Sequence, residues 1–256
     1  MEHMKAAERH EKILQLLKEK DMVTIVELKE CMPNVSEMTF RRDLFKLAEE
    51  NKLIRVYGGA KSIDLMNVYM EEGFKHRLVQ KSEEKKVIAE KVSHLVKETD
   101  RIYLDSGSTC TYIAMNLEDK EYDITTNGLT CAMELVRLPK VKITMVGGSV
   151  YGGSFSTKGD ISVVQVENQF WDIAFVGTIG YVPGIGFMSS VLDDYVLKRK
   201  IVQNSKKVVI VMDHTKVGKR GTHLIAKIPE VYAVVSDDEL PKDIIEDLKS
   251  QNIIVM

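Results

Sequence analysis

At 256 residues, with 44% hydrophobic and 29% charged residues, the chain has the make-up of a globular protein long enough for two domains, which excludes a disordered or low-complexity polypeptide. The net charge is only −2, so no global basic field marks a nucleic-acid partner and any such contact has to come from a local arrangement. The three cysteines, Cys31, Cys110 and Cys131, form no C-x-x-C pair, which excludes a zinc finger and a disulfide framework and predicts reduced thiols in a cytoplasmic protein.

The first sixty residues read as helix, helix, helix, strand. Ile13, Leu16 and Leu17 place an apolar stripe on a first helix. Thr24-Ile25-Val26-Glu27 has the form of a capping box that opens a second helix, whose inner face is Leu28, Cys31 and Met32. Pro33 stops that helix, and Asn34 is expected to take a left-handed conformation in the turn. Ser36 caps a third helix with Phe40, Leu44, Leu47 and Ala48 facing inward. Leu53–Tyr57 is β-prone, and Gly58-Gly59 ends it.

Two capped helices joined by a tight turn make a helix-turn-helix, which places the third helix to enter a major groove. Its outward positions include Glu37, Met38, Thr39, Arg41, Arg42, Phe45 and Lys46, and Arg55 and Tyr57 of the strand are candidate wing contacts to the DNA backbone. With the cap residues Thr24 and Ser36, these (Phe45 apart) are the candidate DNA-binding residues. An arginine reads guanine through two bonds or holds a phosphate, and a threonine meets a thymine methyl.

From Lys61 to His76 the pattern weakens, which predicts a linker between a DNA-binding domain at 1–60 and a second domain at 77–256. Ser82-Glu83-Glu84 opens a helix carrying Val87, Ile88, Val92 and Leu95. Short apolar runs then alternate with helical patterns: Ile102–Leu104, Ile124-Thr125, Ile143–Val146, Ile173–Val176, Val208–Met212, Val231–Val235 and Ile253–Val255 are the strands. That alternation predicts an α/β domain of Rossmann-like type, a largely parallel sheet covered on both faces.

Ile102-Tyr103-Leu104 runs into Asp105-Ser106-Gly107-Ser108-Thr109 and then into a helix. A glycine-containing turn at a helix N-terminus offers free N–H groups, hydroxyls and a positive helix end to a phosphate. Ligands gather at the carboxyl ends of strands in such sheets, so Asn127 and Gly147-Gly148 are expected in the same crevice, with Lys198, Arg199 and Lys216 as cations and Asp213 to bind a sugar hydroxyl or orient Lys216. Neither a Ser-His-Asp triad nor a paired-histidine metal motif is present, so no catalytic residue, metal or cofactor is expected. Met1–Lys12 is charged and polar rather than a signal peptide, and no apolar run nears the roughly 20 residues of a membrane span.

The stretches Val23–Leu28, Val35–Leu44 (with its Ser-x-x-Thr-x-Arg-Arg-Asp-Leu core) and Leu53–Ala60 together resemble the DeoR family of bacterial transcriptional regulators. Leu104–Thr109, Thr126-Asn127, Val146–Gly148, Ala174–Gly177, Lys198-Arg199 and Asp213–Gly218 resemble the sensor domain of the same family. The resemblance implies a winged helix-turn-helix regulator of a sugar-catabolism operon, a repressor or, less often in the family, an activator, with operator double-stranded DNA as one partner. It further implies a sensor domain similar in fold to ribose-5-phosphate isomerase, a phosphorylated sugar as effector of operator affinity, and a homo-oligomer, dimer or tetramer. The chain departs from the family at Ile179, where an acidic or amide side chain is usual, and at Met188–Leu192 ahead of Asp193-Asp194. The alternatives are a sugar-phosphate isomerase-like enzyme using Asp105, Asp193, Asp194 or Asp213, and a DNA-binding protein without a ligand.

Overall fold

The computed structural model describes residues 6–20, 22–50, 52–56, 58–62 and 72–256. Two compact units divide the chain, Met1–Met70 and Glu71–Met256. The expected strand residue Tyr57 and most of the expected linker, 63–71, lie outside the described residues.

In the first unit α1 (Ala6–Glu19), β1 (Met22–Thr24), α2 (Ile25–Cys31), α3 (Glu37–Glu49), β2 (Leu53–Val56) and β3 (Gly59–Ser62) follow in order. The three strands form an antiparallel sheet in the order β1-β3-β2. Strands β1 and β3 were not expected. The pairing of β1 with β3 depends on Gly59, because a Cβ there would lie 2.1 Å from the Val23 carbonyl oxygen. The core is the predicted set: Ile13, Leu17, Leu28, Met32, Phe40, Leu44 and Leu47 are buried, joined by Val23, Leu53 and Ala60. Two details differ. Cys31, expected on the inner face of α2, is exposed. Asn34 does not adopt a positive φ. The Val35 N–H closes the turn by donating to the Met32 carbonyl (3.1 Å), a four-residue turn with Pro33 at its second position that needs no left-handed residue.

The second unit opens with α4 (Glu72–Val79) and α5 (Ser82–Ser93), so the last residues of the expected linker are helical. There follow β4 (Arg101–Leu104), α6 (Ser108–Asn116), β5 (Asp123–Thr126), α7 (Leu129–Leu135), β6 (Lys142–Met145), β7 (Ser149–Tyr151), β8 (Ser156–Lys158), α8 (Asp160–Val166) and β9 (Ile173–Gly177). Then come β10 (Gly180–Val182), β11 (Gly186–Ser189), α9 (Leu192–Gln203), β12 (Val208–Val211), β13 (His223–Ala226), β14 (Ala233–Val235), α10 (Lys242–Ser250) and β15 (Ile254–Val255).

Seven strands form one sheet in the order β15-β14-β12-β9-β4-β5-β6, and every pairing in it is parallel. Alternate residues feed two cores, as expected of a sheet covered on both faces. Ile102, Leu104, Phe175, Val209 and Val211 face one, and Tyr103, Ala174, Val176, Val208 and Ile210 the other. Trp171 packs edge-on against Tyr103 in the second core, ring centroids 5.2 Å apart. Two antiparallel additions had no strand pattern in the sequence: the β7–β8 hairpin and the small sheet β10-β11-β13.

The chain enters the sheet at β4, builds outward through β5 and β6, then returns to β4's other side for β9 and β12. The reversal opens a crevice beyond the carboxyl ends of β4 and β9, the place where open α/β sheets bind ligands.

Candidate functional site

The helix-turn-helix is built as its caps demand. The Thr24 hydroxyl accepts from the Glu27 N–H (3.2 Å) while the Glu27 carboxylate accepts from the Thr24 N–H (2.9 Å). The Ser36 hydroxyl accepts from the Thr39 N–H (3.2 Å) and shares a hydrogen bond with the Thr39 hydroxyl (2.9 Å). These hydroxyls therefore fix the ends of α2 and α3. Glu37, Met38, Arg41, Arg42 and Lys46 are exposed along α3, with Met38 76% exposed, while Thr39 is half-buried. Arg55 lies on β2. Tyr57 lies outside the described residues.

Asp43, in the sequence only one residue of the Arg-Arg-Asp-Leu motif, is buried and holds α3 to α1. Its carboxylate accepts from Arg9 Nε (2.8 Å) and Nη2 (3.2 Å) and lies 3.2 Å from His10 Nε2. Burial pushes this carboxyl up, but Arg9 and His10 outweigh it and the net displacement is downward.

The second unit carries a cleft of about 500 Å³ at the sheet's reversal point. Ser106, Gly107, Ser108 and Thr109 line it, as do Lys198, Asp213 and Lys216. Five further cations line it that the sequence did not reveal: Arg77, Lys81, Lys85, Lys158 and Lys219. The carboxylate of Asp194 completes its charged groups. The walls are thus strongly cationic, around a loop that runs into the N-terminus of α6.

The charges fall into two sets. At the base, Lys198 is saturated: its ammonium donates to the Gly177 carbonyl (2.7 Å) and lies 2.9 Å from Asp105 and 3.3 Å from Asp194. Asp105 is fully buried and also accepts from the Gly177 N–H (2.9 Å), so it pins the ends of β4 and β9 together beneath the cleft. Burial raises the Asp105 carboxyl more than Lys198 lowers it. Asp194 moves the other way, because Lys198, Lys158 and the Ser189 hydroxyl (2.7 Å) outweigh its burial. The Lys158 ammonium stands 3.8 Å from Asp194 and 4.3 Å over the Tyr151 ring, and burial lowers its affinity for a proton. In this set two ammonium groups meet two carboxylates.

The other set is unbalanced. Arg77, Lys85, Lys216 and Lys219 share one cleft-lining carboxylate, Asp213, with Glu84 acting on Lys85 from outside the lining. Asp213 caps a short 3₁₀ turn, His214–Lys216, by accepting from the Thr215 N–H (3.0 Å), and lies 3.9 Å from the Lys216 ammonium. Burial pushes Lys85 down to about 8 and also lowers Lys216. Desolvated cations with too few counter-charges favour an anionic ligand.

The structure does not bring Asn127, Gly147 or Gly148 to the cleft. Asn127 is buried, accepting from the Tyr103 hydroxyl (3.0 Å) and donating to the Thr157 carbonyl (3.2 Å). The Gly147 N–H donates to Gln165 (2.7 Å), and a Cβ on Gly148 would meet the Ser162 hydroxyl at 2.2 Å. These residues follow β5 and β6, on the side of β4 away from β9, so the strand order carries them past the crevice. Arg199 is committed to Glu230 (2.9 and 3.0 Å). Ile179, 39% exposed, lines the cleft with Ser189, Ser190 and Val191.

Glu84, His214, Asp237 and Glu239 bring potential metal-ligating atoms within 4.8 Å of one another, the one such group among the described residues. They come from separate elements, so no spacing motif announced them. Each is already paired: Glu84 with Lys81 (2.7 Å), and His214 with Asp237 (2.6 Å) and Glu239 (3.3 Å). These bonds hold the Asp213–Lys216 turn in place.

Comparison with known proteins bears on both units. Residues 9–65 match the DeoR-like helix-turn-helix domain, and residues 80–238 match the DeoR C-terminal sensor domain. The chain belongs to the DeoR family. Among relatives of this DeoR-family regulator, the HTH-type transcriptional regulator GolR of Listeria innocua is 30% identical over 92% of each chain. The regulator FruR of Bacillus subtilis is 32% identical over 92% of this chain and 93% of its own. The glycerol-3-phosphate regulon repressor of Escherichia coli is 30% identical over 98% of both. These relatives are named as transcriptional regulators and repressors, not enzymes, and the chain is a DNA-binding transcriptional regulator. The solved structure of ribose 5-phosphate isomerase A from Methanocaldococcus jannaschii superposes with a TM-score of 0.41 at 16% identity, covering 55% of this chain and 56% of that one, too distant to bear on function. Among the described residues no helix is long and apolar enough to cross a membrane.

Proposed function

We propose that this DeoR-family regulator represses a sugar-catabolism operon and that a phosphorylated sugar in the cleft of the Glu71–Met256 unit changes its operator affinity. The observation that carries this reading is the charge of the cleft: Arg77, Lys85, Lys216 and Lys219 against Asp213, beside the Ser106–Thr109 loop. A phosphate there meets helix N-terminal N–H groups, hydroxyls and desolvated cations at once. The balanced base, where Asp194, Lys158 and Lys198 present paired donors and acceptors, suits hydroxyl groups instead. Ile179 and Ser189–Val191 face the same space and would read the sugar's distinguishing groups. The E. coli relative named for the glycerol-3-phosphate regulon agrees with a phosphorylated effector.

On the DNA side, Glu37, Met38, Thr39, Arg41, Arg42 and Lys46 of α3 form the reading face, with Arg55 and Tyr57 as wing contacts. Thr24 and Ser36 set the helix ends. In a homo-oligomer, two such helices would enter successive major grooves about 34–36 Å apart. The division of labour between the two units, a DNA-binding domain and a sensor domain expected at 1–60 and 77–256, and a cytoplasmic site of action belong to the same proposal.

The test is a gel shift with the DNA upstream of the chain's own operon, run with and without each of a panel of triose, pentose and hexose phosphates. One member of the panel shifts the operator affinity while its dephosphorylated sugar does not. If the protein holds no promoter fragment at low salt, or no phosphorylated sugar alters binding, the proposal is wrong.

A further inference from the structure

Helix α4 is the first element of the Glu71–Met256 unit along the chain, and its fastenings converge on the cleft. The Phe74 ring is buried 5.3 Å from Phe155 at the end of the β7–β8 hairpin. The Arg77 guanidinium covers the Phe74 ring and donates to the Gly153 carbonyl of the same hairpin. From α5, the Lys85 ammonium donates to the carbonyls of Arg77 and Gln80, at the end of α4 where carbonyls lack helical partners and the dipole is negative. Lys81, at the corner between the two helices, takes the left-handed conformation (φ +58°) that makes this return possible. Arg77, Gly153 and Lys85 all line the cleft.

An ammonium has three donors. Two of those on Lys85 go to α4, and among the described residues no carboxylate lies within 4.0 Å of it. It stands 5.9 Å from the centre of the Tyr112 ring, one helical turn beyond Ser108. The third donor is therefore available beside the first turn of α6, where the Ser106–Thr109 loop presents its N–H groups and hydroxyls. Arg77 lines the same cleft, with an Nη2 donor given to the Gly153 carbonyl. A charge-assisted bond to a phosphate is about twice as strong as a bond to a neutral acceptor.

We infer that the anion held at the Ser106–Thr109 loop also latches α4, by taking the third donor of Lys85 and pairing with Arg77. The inference rests on the cleft being the effector's anion site. An occupied cleft holds α4 tightly, and an empty one leaves it fastened by Phe74 and neutral carbonyl bonds. Because α4 is where the chain enters this unit from the DNA-binding unit, anion binding fixes that entry point. Lys85 and Arg77 thus act as positioning residues as well as ligands.

Amide hydrogen exchange on the full-length protein tests this, with saturating inorganic phosphate compared with chloride at equal ionic strength. Phosphate slows exchange in the peptide covering residues 72–81 by at least about fivefold, the lower end of ordinary allosteric coupling, and also slows the peptide covering 104–112. In K85M and in R77Q the 104–112 peptide still responds at higher phosphate, whereas the 72–81 response is lost. K85R restores it. Arg77 is exposed, so R77Q keeps the test valid if K85M does not fold. Protection of 104–112 without protection of 72–81 in the unmodified protein overturns the latch and leaves the cleft reading intact. No response in either peptide overturns both.

Discussion

The two units deploy positive charge in opposite ways. On α3, Arg41, Arg42 and Lys46 are exposed and solvated. In the cleft, Lys85, Lys158 and Lys198 are buried, and each depends on carbonyls or carboxylates for support. Exposed charge costs little to keep and suits a polyanion, whose condensed counterions are released on binding with a gain that shrinks as salt rises. Buried charge is expensive unless paired, so it is tied into networks or awaits a ligand that completes it. The first arrangement gives a reader whose fold tolerates a single loss, the second a sensor in which one substitution propagates.

The sharpest way to break that contrast is at Lys198. Replacing it with methionine leaves Asp105 and Asp194 facing each other without their shared cation, and the Glu71–Met256 unit loses about 3–5 kcal/mol in urea unfolding. A loss below about 1 kcal/mol would mean that the network is dispensable. Asp43 is the corresponding buried acid in the DNA-binding unit. Asp43→Asn costs that unit about 2 kcal/mol, the worth of hydrogen bonds to a charged group, read from its unfolding midpoint. The wild-type carboxyl is lowered in the folded state, so this contribution is present above the unfolded value and fades as pH falls through the folded one.

Exposed charge predicts the reverse pattern. Arg42→Ala changes the unfolding free energy of either unit by no more than about 0.5 kcal/mol. It weakens operator binding by about 1–3 kcal/mol if the guanidinium reads a base. If it holds a phosphate instead, the loss is uniform across sequences and the salt slope drops by about one. Unchanged affinity in a binding titration would remove Arg42 from the reading face.

A smaller effect tests the buried side by pH. Burial holds Lys85 near 8, with Asp213 and Glu84 raising it and Lys216 and Arg77 lowering it, and the Tyr112 ring beside it. A bound phosphate favours the charged lysine. Calorimetric affinity for the effector is therefore highest between about pH 6, where a phosphomonoester takes its second charge, and about pH 8, and declines above that. A flat profile through pH 9 would show that Lys85 does not touch the anion.

Local chemistry explains why parts of this architecture were legible in the sequence. The capping pairs Thr24/Glu27 and Ser36/Thr39 act within four residues, and the two-residue alternation of Ile102–Leu104 or Ile173–Val176 reports a sheet buried on both faces. Lys85 was legible in principle and was missed: it lies three, four and seven residues before Ile88, Ala89 and Val92, on the buried stripe of α5. A lysine on an apolar stripe signals a burial that requires partners. Asn127 and Gly147-Gly148 misled because their place depends on strand order, which no local pattern encodes. The partners of Asp43 are more than thirty residues away, and the β7–β8 hairpin that supplies Lys158 is too short for a periodic signal.

The central claim is that one polypeptide couples a groove-reading face to an anion-binding cleft. Isothermal titration of the active sugar phosphate into the free protein, and then into its operator complex, examines that coupling directly. The account predicts that the two dissociation constants differ by the same factor by which the sugar phosphate changes operator affinity, at least about fivefold. Equal constants for the free and DNA-bound protein would contradict it.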